Sequence, residues 1–417
     1  MQKTIKNGSR FGAVKAIASK SHVHRLLICA ALSAQETVIS GVSFSKDILA
    51  TIKCLDGYLA DITYNFDSIT VKPYDNPTSN RLLDLNESGS TYRFLVPVVC
   101  AKGVSASFIG SERLAQRPLS PLYELLVEHN SILSEEGTFP LVCSGKLTSG
   151  TYTISGNVSS QVISGLIFAL PLLEGNSVIV VTGKIESYPY IKMTLDTVRK
   201  FGIEITEKNQ CFYIKGNQKY LSPLNISAEG DWSNASFFVG VGAISKKGVE
   251  VSNLNLSSLQ GDMSILDIVK RMGATVVKKE NSVFVKGGTL RGTEIDASQI
   301  PDLVPVLATL ACFSNGRTRI YNAERLKLKE SDRIESVFSM LTNLGANINK
   351  TDDGFIIEGN SNLDGGSVDS FNDHRIVMSA AVASCGCKNS VVINGVEAVK
   401  KSYPAFFDDF DKLELER

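Results

Sequence analysis

Histidine and tryptophan are scarce in this 417-residue chain, with four and one copies respectively. No two cysteines stand at a paired CxxC spacing and histidine is scarce, which argues against a metalloenzyme; Cys385-Gly386-Cys387 is the one close pair, a metal or redox role there is the alternative, and no metal ligands are assigned. The eight cysteines are scattered: Cys29, Cys54, Cys100, Cys143, Cys211, Cys312, Cys385 and Cys387. Several sit in apolar runs, where a thiol is a small core side chain. Net charge is also missing: Lys+Arg and Asp+Glu both number 43. A general nucleic-acid binder would be basic overall, so that class is excluded, although a local basic cleft is not. No uninterrupted apolar run is long enough to span a bilayer. The opening residues, MQKTIKNGSRFG, lack the apolar core of a signal peptide, and a cytoplasmic location is expected.

What the chain has is a repeat. An apolar, small-residue helical run followed by a turn and a strand occurs six times. The copies begin RLLICAALSA, RFLVPVVCAKG, SGLIFALPLLEG, SFFVGVGAISKKG, LVPVLATLACFSNG and RIVMSAAVASCGC. Their spacing is roughly 70 residues, longer than the common solenoid periods. A second, amphipathic helix follows, as in MSILDIVKRMGATVV, and then a strand pair such as GIEITEKNQCFYIKG, with polar turn residues between alternating runs. Each unit therefore reads β-α-β-α-β-β. The first helix is apolar all round and belongs inside, and the amphipathic second belongs outside. A solenoid would need polar capping repeats, and none is seen. The expected fold is α/β (α+β), with two domains of three repeats each. The weakly periodic stretch Leu221 to Ala235 places the boundary near Ala228. The first domain is expected at 18–228 and the second at 1–17 and 229–417. The leading strand, KTIKNG, is expected to pair within the second.

Polar and charged segments recur where the apolar helices begin. Ser19-Lys20-Ser21-His22-Val23-His24-Arg25 opens the first, and Asn86-Glu87-Ser88-Gly89-Ser90-Thr91-Tyr92-Arg93 the second. Ser159-Ser160-Gln161 opens the third, Ile300-Pro301-Asp302 the fifth, and Asn372-Asp373-His374-Arg375 the sixth. Any one of these is an ordinary helix cap. Five of six at equivalent places point to helix N-termini that bind anions. The connection Lys327 to Arg333, KLKESDR, adds cations and acids between two ordered elements. Lys20, Arg25, Arg93, Arg117, Lys329, Arg333, Arg375 and Lys401 are the available cations, and they suit phosphate and carboxylate. One or two polyanionic small molecules are the expected ligands.

The segments SKSHVHR, NESGSTYRF, RPL, SSQ, KESDR, NDHR and KSYP resemble those of the enolpyruvyl transferases, from Lys20 to Pro404. The resemblance implies a two-domain inside-out barrel of six β-α-β-α-β-β repeats, with the active site in the interdomain cleft. It also implies a shikimate-pathway reaction that needs no cofactor. The enolpyruvyl group of phosphoenolpyruvate passes to the 5-hydroxyl of shikimate 3-phosphate, and phosphate leaves through a tetrahedral intermediate. Residues implied for shikimate 3-phosphate are Lys20, Ser21, Arg25, Ser159, Ser160, Gln161, Ser187, Tyr190, Asp302 and Lys329. Those implied for phosphoenolpyruvate are Lys20, Gly89, Arg117, Gln161, Arg333, Arg375 and Lys401. Asp302 is implied to take the proton of the attacking hydroxyl, and Glu330 to move the proton at the methylene carbon, with Lys20 and His374 in support. Arg325 stands where the best-known bacterial branch has asparagine, and it is given no role.

Two other functions remain in view. The sister enzyme acting on UDP-N-acetylglucosamine usually carries a reactive cysteine on the loop that reads Gly110-Ser111-Glu112-Arg113-Leu114-Ala115-Gln116-Arg117 here, and this loop has none. A non-catalytic scaffold binding a phosphorylated metabolite would keep the cations but would not need Asp302 and Glu330. The expected partners are the two small-molecule substrates, with no nucleic acid, no membrane and a monomeric state.

Overall fold

A computed structural model describes residues 1–359 and 363–416; Arg417, the end of the expected second domain, lies outside them. The chain forms two compact units, Lys20–Ala228 and Met1–Ser19 with Glu229–Arg417.

The unit Lys20–Ala228 contains three four-stranded sheets. One runs in the order Thr151–Ser155, Ser177–Thr182, Cys211–Ile214, Ile205–Lys208. Its first two strands are parallel, so a crossover is required, and the helix Ser160–Ala169 provides it. Its last two form the hairpin expected from the sequence. Asn209 and Gln210 turn it with positive φ angles of 52° and 59°, as a tight hairpin loop demands. The sheet around Thr37–Ser40 is completed from far away, by the strand Asn225–Ser227 lying parallel to it. That strand falls in the stretch read as weakly periodic, since three residues are too few to show alternation.

Helices Lys20–Leu32, Gly89–Lys102 and Ser160–Ala169 are almost wholly buried. Gly165 explains how two of them meet. A Cβ there would lie 2.2 Å from the Arg93 carbonyl oxygen, so the contact is backbone to backbone. Beside it, Phe94 and Phe168 pack edge to face at 5.2 Å. The amphipathic helix Tyr188–Lys200 buries only one stripe, Ile191, Met193, Thr194, Thr197 and Val198.

The other unit has sheets of three, five and four strands. Every residue of the helices Val304–Cys312 and His374–Ser384 is buried. Their valines, threonine and proline are poor helix formers, so burial rather than propensity holds them. Each buried Leu or Val contributes about 1.5–3 kcal/mol. The sixth repeat is shorter than the pattern predicts. Among the described residues, the one strand that follows the helix Phe406–Lys412 is the two-residue Glu414–Leu415, and it pairs with Arg10 and Phe11. Its sheet is completed instead by Gln2–Ile5, antiparallel to Val391–Asn394. The fourth repeat also takes its leading strand from the N-terminal segment, Arg10–Lys15, parallel to Val249–Ser252. Among the described residues, no helix is long and apolar enough to cross a membrane.

Candidate active site

In the unit Lys20–Ala228, Lys20 is the first residue of its helix, and its Nζ lies 2.7 Å from Asp47 Oδ2. Arg25 is buried a turn and a half further on. Its guanidinium donates to Thr194 Oγ1 at 2.8 Å, to the Ser21 carbonyl at 2.7 Å and to the Tyr190 carbonyl at 3.0 Å. It also lies 5.2 Å over the Phe94 ring. Burial draws its pKa down to about 10, which leaves it charged at neutral pH. Arg25 thereby fixes the segments of Ser21 and Tyr190 on one side of the helix. Ser187 precedes Tyr188–Lys200 in the left-handed region, at φ 52°. Its loop is tied to that before Ser159 by Glu186 N–H donating to the Gly156 carbonyl at 2.8 Å.

Ser159 caps the helix that Ser160 and Gln161 begin, accepting from Gln161 N–H at 3.3 Å. Gln161 Nε2 reaches Ser90 Oγ at 2.8 Å, and Arg93 Nη1 lies 3.5 Å from Gln161 Oε1. A Cβ on Gly89 would lie 2.9 Å from both Arg117 Nη2 and Arg93 Nη1, so only glycine leaves the two guanidiniums in place. Arg117 is buried, and its Nε has no hydrogen-bond partner among the described residues. A buried donor without a partner marks a place for a ligand acceptor. The structure thus links Lys20, Ser21, Arg25, Tyr190 and Ser187 with Ser159, Ser160, Gln161, Gly89 and Arg117 in a single unit.

Several supporting residues were not found from the sequence. Asp47 pairs with Lys20. A buried relay also runs from His24 Nδ1 to Thr51 Oγ1 (2.7 Å), on to Thr91 Oγ1 (2.6 Å) and to Ser88 Oγ (2.6 Å). It joins the helix of Lys20 to the cap of the helix that begins at Gly89. The only sequence signal was a run of small hydroxyl residues. Burial, with Lys20 and Arg25 nearby, holds the His24 pKa well below its usual range, so the relay is neutral.

The second cluster belongs to the other unit. Arg333 opens the helix Arg333–Asn343 and is 1% exposed. Its guanidinium donates to Asp302 Oδ1 (2.8 Å), Glu330 Oε2 (2.7 Å) and Asp373 Oδ2 (2.8 Å). Lys329 Nζ lies 3.2 Å from Asp302 Oδ1, and Arg375 Nη2 lies 3.3 Å from Asp302 Oδ2. Burial alone would raise the pKa of Asp302, but Arg375, Lys329 and Arg333 outweigh it and hold the carboxyl well below the usual range. Burial lowers Lys329 and Asp302 opposes the shift; the net direction is down. Asp373 is likewise held low, against its burial, by Arg333. It caps the His374–Ser384 helix by accepting from Arg375 N–H at 2.9 Å.

His374 Nδ1 is 3.8 Å from Asp373 Oδ1, too far for a hydrogen bond, so it borders the network through Asp373. Lys401 Nζ donates to the Asn372 carbonyl at 2.6 Å, just upstream of that cap. Asp302, Lys329, Glu330, Arg333 and Arg375 are therefore one network, with His374 and Lys401 at its edge. Arg325, given no role above, donates to the Ser298 carbonyl at 3.3 Å. Among the described residues, no group of three or more His, Cys, Asp or Glu is placed to hold a metal ion.

Clustered arginines and lysines beside the Asp302 and Glu330 carboxylates have the chemistry of an enzyme that binds small polyanions and moves protons on them. The family model described as EPSP synthase (3-phosphoshikimate 1-carboxyvinyltransferase) matches residues 6–410, and the chain belongs to this family. A 3-phosphoshikimate 1-carboxyvinyltransferase of Clostridium perfringens is 44% identical, over 99% of this chain and 98% of its own. That of Clostridium acetobutylicum is 42% identical, over 96% and 95%. Among solved structures, an EPSP synthase from Acinetobacter baumannii superposes with a TM-score of 0.82 at 25% identity over the whole of both chains. The enolpyruvyl transferase NikO from Streptomyces tendae shares the fold, with a TM-score of 0.81 at 16% identity, over 99% of this chain and 97% of its own. The resemblance seen in the sequence to enolpyruvyl transferases is borne out.

Proposed function

We propose that this protein transfers the enolpyruvyl group of phosphoenolpyruvate to the 5-hydroxyl of shikimate 3-phosphate, releasing phosphate, in aromatic amino-acid biosynthesis. The observation that carries the mechanism is the Asp302, Lys329, Glu330, Arg333 and Arg375 network. Lys20, Ser21, Arg25, Ser159, Ser160, Gln161, Ser187 and Tyr190 hold shikimate 3-phosphate, and Lys329 and Asp302 orient its hydroxyl. Lys20, Gly89, Arg117, Gln161, Arg333, Arg375 and Lys401 are assigned to phosphoenolpyruvate.

In the first step the 5-hydroxyl oxygen bonds to C2 of phosphoenolpyruvate. Asp302 takes the hydroxyl proton, and the methylene carbon gains a proton from Glu330, with His374 and Lys20 in support. In the second step the methyl carbon gives a proton back, the bond from C2 to the phosphate oxygen breaks, and the double bond reforms. Both steps are proton transfers at positioned groups plus charge neutralisation by arginine.

The same geometry supports a reading of when the base acts. With three cations around it, Asp302 is a poor base. The anionic groups of phosphoenolpyruvate compete for Arg333 and Arg375. As they neutralise those cations the Asp302 carboxylate loses stabilisation, and its basicity rises when substrate is present. Within the same reading the enzyme is a cytoplasmic monomer, and its balanced charge argues against a nucleic-acid partner. Turnover in D2O tests the carbon protonation: deuterium should enter the product methylene, and Glu330→Gln should slow its entry with the product. Product free of deuterium would remove the addition step.

A further inference from the structure

The fourth repeat gave no candidate from the sequence, yet its buried helix begins with polar residues. Apart from Ser233, Asn234 and Ser236, Trp232–Ile244 is apolar, and Asp231 caps it by accepting from Asn234 N–H at 2.8 Å. Ser233 and Asn234 are both buried. Buried hydroxyl and amide groups in a core helix are costly unless bonded, and both are bonded. Ser233 Oγ accepts from Arg375 Nη2 at 2.8 Å. Arg375 Nη1 donates to the Asp302 carbonyl at 3.1 Å, so its fork is held on both sides. Asn234 Nδ2 donates to Asp231 Oδ2 and to Ser402 Oγ, each at 3.1 Å. Ser402 is the neighbour of Lys401 in the chain.

The turn is itself fixed by Gln260. Its Oε1 accepts from Trp232 N–H at 3.0 Å and from Ser19 Oγ at 3.1 Å. Its Nε2 donates to Glu229 Oε1 at 2.9 Å and to the Gly230 carbonyl at 2.8 Å. One buried amide thus anchors the start of the helix that touches Arg375 and the Lys401 segment.

We infer that Ser233 and Asn234 are positioning residues for the transfer reaction: Ser233 aims the Arg375 guanidinium, and Asn234 holds the Lys401 segment through Ser402. The inference rests on the proposed role of Arg375 and Lys401 with phosphoenolpyruvate. Without the serine hydroxyl, Arg375 keeps its charge and its contacts to Asp302 but loses the bond that holds one side of its fork. Binding of the planar anion then suffers more than the chemistry does.

The test is steady-state kinetics on the full chain with both substrates varied. Ser233→Ala should raise the KM for phosphoenolpyruvate by about tenfold, the factor for one lost bond of roughly 1.4 kcal/mol. The KM for shikimate 3-phosphate should move less than about twofold, and Ser233→Thr, which keeps the hydroxyl, should recover most of the loss. In an Arg375→Lys background Ser233→Ala should add little, because the two residues act as one unit. Asn234→Ala should show the same selective KM rise, with no further effect in a Lys401→Ala background. Parallel changes in both KM values, or full additivity with Arg375→Lys, would mean Ser233 only stabilises the fold and would overturn the inference. An active wild type with an unchanged Ser233→Ala variant would sink the inference alone. An inactive wild type would sink it together with the proposed function.

Discussion

Replacing Asp302 with asparagine is the sharpest perturbation of the proposed chemistry. The side chain keeps its shape and one acceptor oxygen but loses its charge and its ability to take a proton. In the structure that charge faces Lys329 at 3.2 Å, Arg333 at 2.8 Å and Arg375 at 3.3 Å. At an effective dielectric of ~20, each such pair is worth on the order of 5 kcal/mol before desolvation is subtracted. Arg333 remains paired with Glu330 and Asp373, so the fold should persist. Two effects then separate. The turnover number should fall at least 10²-fold, about 2.7 kcal/mol of barrier, because a positioned base is gone. The KM for phosphoenolpyruvate should stay level or drop, because Arg333 and Arg375 no longer share themselves with a competing carboxylate. Phosphate release against phosphoenolpyruvate concentration, at saturating shikimate 3-phosphate, measures both. A turnover within threefold of wild type would refute Asp302 as the base. A large rise in KM with normal turnover would make it a binding residue instead.

Other expectations follow from the same geometry. Burial is outweighed by Arg375, Lys329 and Arg333, so the Asp302 pKa is held low in the free protein; the acid limb of kcat/KM due to this group should lie well below the usual carboxylate range, and the corresponding limb of kcat should lie higher; coincident limbs would contradict a substrate-raised base. Burial, with Lys200 and Arg25, lowers the His22 pKa from 6.5 to about 4. The unfolded chain therefore takes up this proton first as pH falls. The His22 contribution is complete above pH 6.5 and is lost towards pH 4, in all about 3 kcal/mol. Urea unfolding of wild type and His22→Gln across that range should show the difference. Gly89→Ala should push Arg117 or Arg93 aside, since its Cβ would sit 2.9 Å from each, and raise the KM for phosphoenolpyruvate several-fold. Leu307→Ala, at a fully buried site, should cost about 2–5 kcal/mol in urea unfolding and leave the activity of the folded fraction near wild type.

Local patterns carried much of this protein into view. The apolar helices with their following strands, and hairpins such as the one turned by Asn209 and Gln210, depend on residues close in sequence, and the text shows them. So does the crowding of charge in KLKESDR, whose Lys329, Glu330 and Arg333 form one network with Asp302. What stayed hidden depends on distance along the chain. The strand Asn225–Ser227 is too short to announce itself, and the leading strand, expected from KTIKNG, gave no sign that its partner is Val391–Asn394; each is defined by a partner far away. Asn234 and Ser402 are 168 positions apart, and although Ser402 follows Lys401 in the KSYP segment, nothing local marks it as a partner of Asn234. Asp373 was visible beside His374, but its salt bridge with Arg333 needed the fold to appear. Gln260 had no local mark at all, since a single amide among polar residues reads as surface until its five side-chain partners, Ser19, Glu229, Gly230, Trp232 and Ser258, are seen.

The most direct measurement is inorganic phosphate release from phosphoenolpyruvate, with shikimate 3-phosphate and UDP-N-acetylglucosamine offered as acceptors in parallel. Release with the shikimate compound alone is the predicted result. Release with the nucleotide sugar alone would contradict the assignment of Ser159, Ser160, Gln161 and Arg25 to shikimate 3-phosphate. Binding of shikimate 3-phosphate in calorimetry without release in either reaction would contradict catalysis itself, and would leave a scaffold that holds a phosphorylated metabolite.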